Sequence, residues 1–327
     1  MSNRTYLYTI ASTITVGAFI IGNNIAYAHH PSPAFGGDTG GPISTIAAAT
    51  LPQGILSAGI DLQYIDIDQF SDEELIARAE ADLDPHSADY VLIPSLGAAY
   101  GVTENFTVSL SLPYVLQDNF REVHHHDEVE NQGAIKGFGD LSVLGQYRFF
   151  EDAAAQIEVA LLFGIKLPTG NTHEKTPEGE RLETEHQPGS GSWDPMVGAT
   201  VTKRFGNTSI DASFLYTIAT EGSQDTALGD RFFYGLGVTY RPEAEIGEAA
   251  WDLILEVNGE HVDPTKVGGV VEQHGGGHII YLSPGVRFNS PNAWAAYLSI
   301  GIAVLTDMNG AEPDANFRVL AGFSKAF

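Results

Sequence analysis

The chain has 327 residues, no cysteine, 16 basic against 42 acidic side chains and a net charge of −26. That charge excludes nucleic acid as a partner, because a phosphate backbone is bound through an excess of Lys and Arg. The missing thiols exclude a disulfide-held scaffold, so a chain sent to an oxidising compartment must rely on its hydrogen-bonded architecture.

From the N-terminus, Arg4 precedes an apolar run over 10–21 that Gly22, Asn23 and Asn24 interrupt, and Ala26-Tyr27-Ala28 follows. This pattern predicts a secretory signal peptide over 1–28 with the mature chain starting at His29, since a membrane anchor needs about twenty apolar residues. Residues 29–53 are rich in Gly and Pro and lack a lipid-facing pattern. They form either a plug folded into a lumen or a periplasmic leader, and the mildly apolar run over 43–51 favours contact with a barrel.

Twelve segments of strand character follow, near 54–67, 88–101, 105–117, 139–151, 155–168, 191–205, 208–220, 230–241, 250–262, 277–289, 292–305 and 315–327. The third alternates Phe106, Val108, Leu110, Leu112 and Tyr114 with Thr107, Ser109 and Ser111. In the eighth, Phe232, Tyr234, Leu236, Val238 and Tyr240 share one face, while Arg231, Gly235, Gly237 and Arg241 share the other. Strands of this length with one apolar face suit a tilted membrane crossing better than a soluble sandwich, whose strands are about half as long. The last strand ends on Phe327, the aromatic ending expected of an outer-membrane barrel and expected to take part in recognition by the barrel-assembly machinery.

Short turns, such as Thr103-Glu104-Asn105 and Gly206-Asn207, alternate with long polar connections near 68–87, 118–138, 169–190, 221–229, 263–276 and 306–314. The reading is an all-β, transmembrane antiparallel β-barrel of about twelve strands over 54–327. It sits in the lipid of a bacterial outer membrane with short turns and both termini periplasmic.

Several blocks carry a resemblance: Gly41-Pro42-Ile43-Ser44, Leu51-Pro52-Gln53-Gly54, Gly137-Phe138-Gly139-Asp140-Leu141, Leu167-Pro168-Thr169-Gly170, Gln187-Pro188-Gly189-Ser190-Gly191-Ser192-Trp193-Asp194-Pro195, Leu228-Gly229-Asp230-Arg231-Phe232 and Tyr281-Leu282-Ser283-Pro284-Gly285. Together they resemble the outer-membrane, transporter-like family of the MetA pathway of phenol degradation. The resemblance implies a barrel that passes small solutes, aromatic or otherwise hydrophobic, and it brings no catalytic residues.

Inward positions predict a charged lumen. Arg148, Lys166, Arg231 and Arg318 are set against Glu256 and Glu260, as either a space-filling ion-pair network or a hydrated solute path. The histidines avoid the middle of the strands. His124, His125, His126 and Asp127 form one run, and His173, His186 and His274 lie in other long connections. Imidazole beside carboxylate suits zinc or copper, giving the alternative of a surface metal-binding barrel; the other reading is a solvated acidic loop face. No fixed spacing such as H-E-x-x-H supports a metal centre, no further cofactor is expected, and no credible Gly-x-Ser-x-Gly elbow or phosphate-binding motif points to an enzyme.

Overall fold

The computed structural model describes residues 41–81, 83, 85–124, 128–242, 248–272, 275–308 and 313–327, together with the backbone of two short paired strands, Ile20–Ile21 and Phe35–Gly36. Twelve strands form the wall: β1 (Leu56–Ile67), β2 (Tyr90–Thr103), β3 (Phe106–His124), β4 (Ser142–Asp152), β5 (Ile157–Lys166) and β6 (Asp194–Phe205), then β7 (Thr208–Thr217), β8 (Arg231–Tyr240), β9 (Ala250–Val262), β10 (Gly277–Asn289), β11 (Trp294–Met308) and β12 (Ala315–Ala326). Each pairs antiparallel with its sequence neighbours, and β12 returns to β1 with Phe323 opposite Ile60, which closes the cylinder. Closure leaves no open strand edge, the condition for crossing lipid without a helix. No helix among the described residues is long and apolar enough to span a membrane.

Period 2 sorts the side chains. Along β1, Leu56, Ile60 and Leu62 are exposed on the outside while Ser57, Asp61 and Gln63 are buried inside. Aromatic rings mark both rims of the outer band. At the turn end Trp251, Phe288, Trp294 and Phe323 form a chain with centroids 5.0–5.7 Å apart. At the loop end Tyr64 meets Tyr90 at 5.6 Å, and Tyr114 meets Phe138 at 5.0 Å. Rings with an apolar body and a polar edge belong at the membrane interface, so these girdles bound the lipid-facing zone.

Two connections differ from the sequence expectation. Residues 118–138 are a hairpin arm instead of a loop: β3 continues to His124, and a returning strand, Glu128–Phe138, pairs with it from Glu128 opposite His124 to Phe138 opposite Tyr114. The chain then breaks at 139–141, where Gly139 N donates to Pro113 O at 2.9 Å, and re-enters the wall as β4 at Ser142 instead of 139. Within 68–87 lies a helix, α1 (Asp72–Ala79). Its start is fixed by a reciprocal cap in which Ser71 Oγ accepts from Glu74 N and the Glu74 carboxylate accepts from Ser71 N, leaving Leu75 and Ala79 as its buried face.

Candidate functional site

Residues 41–51 lie inside the cylinder and are buried along almost their whole length. A bent segment outside helix and sheet has no internal partners for its backbone, and a buried unpaired amide is costly, so the wall must supply them. Glu256 accepts from three successive amides, those of Ile43, Ser44 and Thr45, at 2.7–3.0 Å. Arg287 donates to the carbonyls of Gly41 and Pro42 at 2.6 and 2.9 Å. Ser213 and Thr202 accept from the amides of Ile46 and Ala48, and Gln146 donates to the carbonyls of Ala47 and Ala49. Thr107 accepts from Leu51 N at 2.8 Å where the segment leaves at the turn end. Gly237 makes room for it, because a Cβ there would lie 2.5 Å from a Pro42 carbon.

Around residues 41–51 many inward positions are polar, Gln146, Thr200, Thr202, Asp211, Ser213 and Asp252 among them, while Ile43 packs with Ile254, Ala295, Tyr297 and Leu320. Toward the loop end the inner wall becomes apolar in two continuous arcs. One runs through Ile65, Ile67, Val91, Ile93, Val115, Val262, Ile279 and Tyr281. The other comprises Leu144, Leu162, Met196, Leu215 and Phe233, with Ile46 of the inner segment against them. These arcs were missed in favour of a charged lumen. A signal was present in Val91-Leu92-Ile93 and Ile279-Ile280-Tyr281, where both faces of a strand are apolar.

Of the six predicted lumen residues, Arg231 pairs with Glu260, and Arg318 interacts electrostatically with Glu256 and Glu260, whereas Arg148 and Lys166 stand apart from them. Arg148 sits at the turn end, 3.4 Å from Glu158 and 3.3 Å from Glu151. Lys166 lies at the loop end, 2.6 Å from Asp194, 3.5 Å from Asp140 and 2.8 Å from Ser190 Oγ. Arg231 is 3.8 Å from Glu260. Arg318 is fully buried, with its guanidinium 4.2 Å over the Tyr281 ring and one nitrogen donating to Asn258 Oδ1 at 3.2 Å. Glu256 binds the inner segment. Arg287, which grips that segment, is a further functional position.

Asp140 stands in the break before β4 and fastens the loops above. It accepts from Gly170 N and Ser190 N, both at 2.8 Å, and from Ser190 Oγ. Burial pushes its carboxyl up, but the neighbouring Lys166 ammonium and the bonds from Ser190 and Gly170 outweigh that and hold it below its usual range.

Of the predicted metal set, His125, His126, Asp127 and His274 lie outside the described residues, and His124 ends β3. His173 is exposed, with Nδ1 3.2 Å from Thr172 Oγ1. His186 is buried under the loops, its ring 4.6 Å from that of Phe120 and 5.1 Å from that of His86. The chain therefore brings His186 together with His86 instead of with His173.

The model of the family described as "Putative MetA-pathway of phenol degradation" matches residues 91–307. No curated protein matches by sequence. Among solved structures, an outer membrane channel from Pseudomonas putida F1 superposes with a TM-score of 0.59 at 14% identity, covering 86% of this chain and 98% of its own. The NanC porin follows with a TM-score of 0.46 at 7% identity, covering 81% of this chain and 98% of its own. A toluene transporter from Ralstonia pickettii gives 0.44 at 10% identity, covering 85% and 90%.

Proposed function

As the chain belongs to that family and folds as a closed outer-membrane barrel, we propose that it is a channel for small, largely apolar solutes, aromatic compounds foremost. The observation that carries this reading is the pair of apolar arcs on the inner wall of the loop half, whose side chains are packed and buried in this structure and have to part around a solute. A hydrated pore for ions or sugars has no use for Ile, Val, Leu and Phe facing its lumen. An aromatic ring gains about 25 cal/mol for each Å² of apolar surface it removes from water there.

The short turns gather at the end where the chain begins β1 and finishes β12, which supports a periplasmic turn end and an external loop end. On that orientation a solute enters the apolar half from outside and meets residues 41–51 below it. Passage then requires the segment to shift, with Glu256 and Arg287 setting how firmly it is held. Twelve strands enclose more room than the eight of a side-chain-filled barrel and less than the sixteen of an open porin, in keeping with a path that one short segment can close.

The test is uptake of labelled toluene by cells producing the protein, compared with cells producing an Ile93→Asn, Val115→Asn variant at equal outer-membrane level. Faster uptake with the unaltered chain is expected. Equal rates in both, each no faster than in cells lacking the protein, would remove the aromatic-channel reading.

A further inference from the structure

Where the loops fold over the lumen, a single helical turn, Thr184–His186, follows Glu183 and gathers three side chains able to ligate a metal. One donor atom from each of Glu183, Glu185 and His186 lies within 4.8 Å of the other two, and His186 Nε2 is 3.8 Å from a Glu185 oxygen. The imidazole is 4% exposed, and the rings of Phe120 and His86 hold it in place. A cavity of about 140 Å³ opens against the same two glutamates, and Thr184, Gln224, Thr226, Thr265, Val267 and Glu272 line its remainder.

We infer that this cluster binds one divalent transition-metal ion, zinc by preference, through His186 and the carboxylates of Glu183 and Glu185. The donor set decides the class of ion: nitrogen with carboxylate oxygen suits zinc, whereas calcium and magnesium take oxygen throughout. Tetrahedral zinc with ligands at about 2.0–2.1 Å sets its donors about 3.3 Å apart, so the cluster needs to tighten by up to about 1.5 Å. Glu183 is exposed and Glu185 half-buried, so rotation about their side-chain bonds supplies that movement while the packed imidazole stays fixed. Two carboxylates neutralise the ion, and the cavity leaves its fourth position to water.

The test uses the full barrel in detergent after treatment with a chelator, titrated with zinc in a calorimeter and with cobalt(II) followed by visible absorption. Three proteins are compared: the unaltered chain, a Glu183→Gln, Glu185→Gln variant, and a His124→Ala, His125→Ala, His126→Ala variant. The two glutamates reach solvent, so their replacement leaves folding intact, which heat-modified gel mobility verifies. The expected result is one ion on the unaltered chain and on the His→Ala variant, with affinity at least about tenfold weaker (1.4 kcal/mol) and an altered cobalt spectrum for the Glu→Gln variant. The inference is overturned if the Glu→Gln variant binds as the unaltered chain does, if the His→Ala variant alone abolishes binding, or if nothing binds more tightly than about millimolar.

Discussion

Glu256→Gln is the sharpest perturbation of the inner segment. The carboxylate accepts from three successive amides through two oxygens at 2.7–3.0 Å. Each oxygen serves two amides, with Ser44 N shared between them, so a carboxamide keeps one oxygen on two amides and turns its N–H groups toward the third, Ile43 N or Thr45 N, which loses its partner. A hydrogen bond to a charged group contributes about 1.5–3 kcal/mol, which puts the loss of that one partner at about 1.5–3 kcal/mol. The strand ladder of the wall is untouched, so the loss falls on docking of residues 41–51 and not on the barrel. At about 1.4 kcal/mol per tenfold, the undocked population rises by roughly one to two powers of ten. The absence of native cysteine gives a clean assay. Ser44→Cys is nearly isosteric, and the buried Ser44 hydroxyl has no hydrogen-bond partner to lose. The rate of maleimide labelling of Ser44→Cys then reads the undocked fraction, and single-channel conductance reads whether undocking opens a path. Labelling and conductance that are the same with Glu and Gln at 256 would refute the assignment of Glu256 as the hold on the segment.

Two further outcomes follow from the same geometry. Gly101→Ala places a Cβ 2.0 Å from the Pro52 carbonyl oxygen where the segment leaves the lumen; overpacking of this kind costs about 1–3 kcal/mol, so Ser44→Cys labelling should accelerate while heat-modified mobility is retained. Asp140 has a folded-state pKa below its ordinary value, so its contribution is complete above the unfolded value of about 3.9 and is lost as pH falls through the lower, folded one. Protease cleavage within 169–190, at steady protease activity, should therefore stay constant from neutral pH to about 5 and rise below about 4. Asp140→Asn should be cleaved faster at neutral pH and lack the acid-induced rise, and an unchanged acid profile in that variant would contradict the role given to Asp140.

The wall was legible because lipid on one face imposes apolar residues at every second position, and the expected spans 250–262 and 277–289 coincide with β9 and β10. The hairpin arm at 118–138 was not, since beyond the lipid both faces of a strand tolerate polar residues such as Asn131 and Gln132 and the alternation disappears. Helix α1 did leave a signal, the Ser71-x-x-Glu74 capping box, but eight residues in a polar connection offer little periodicity to set beside it. The lumen was read from the general rule that barrel interiors are polar. That rule describes many positions around residues 41–51 and misses the apolar arcs nearer the loop end, whose side chains meet one another and not bulk water. No pattern in Ile43-Ser44-Thr45 points to Glu256, because the pairing depends on which strands the closed cylinder sets around the segment.

The inner segment also imposes an order of events on biogenesis. Residues 41–51 precede every strand of the wall, yet their firmest bonds reach across sequence separations of 213 to Glu256 and 246 to Arg287. Contacts so distant along the chain cannot form until β9 and β10 are in place, and loop-closure entropy makes such contacts slow to form. The first part of the barrel domain to be delivered is therefore among the last to find its seat. A cylinder lacking β9 and β10 has neither the carboxylate nor the guanidinium that receives the segment, so docking reports that the wall has been built at least that far.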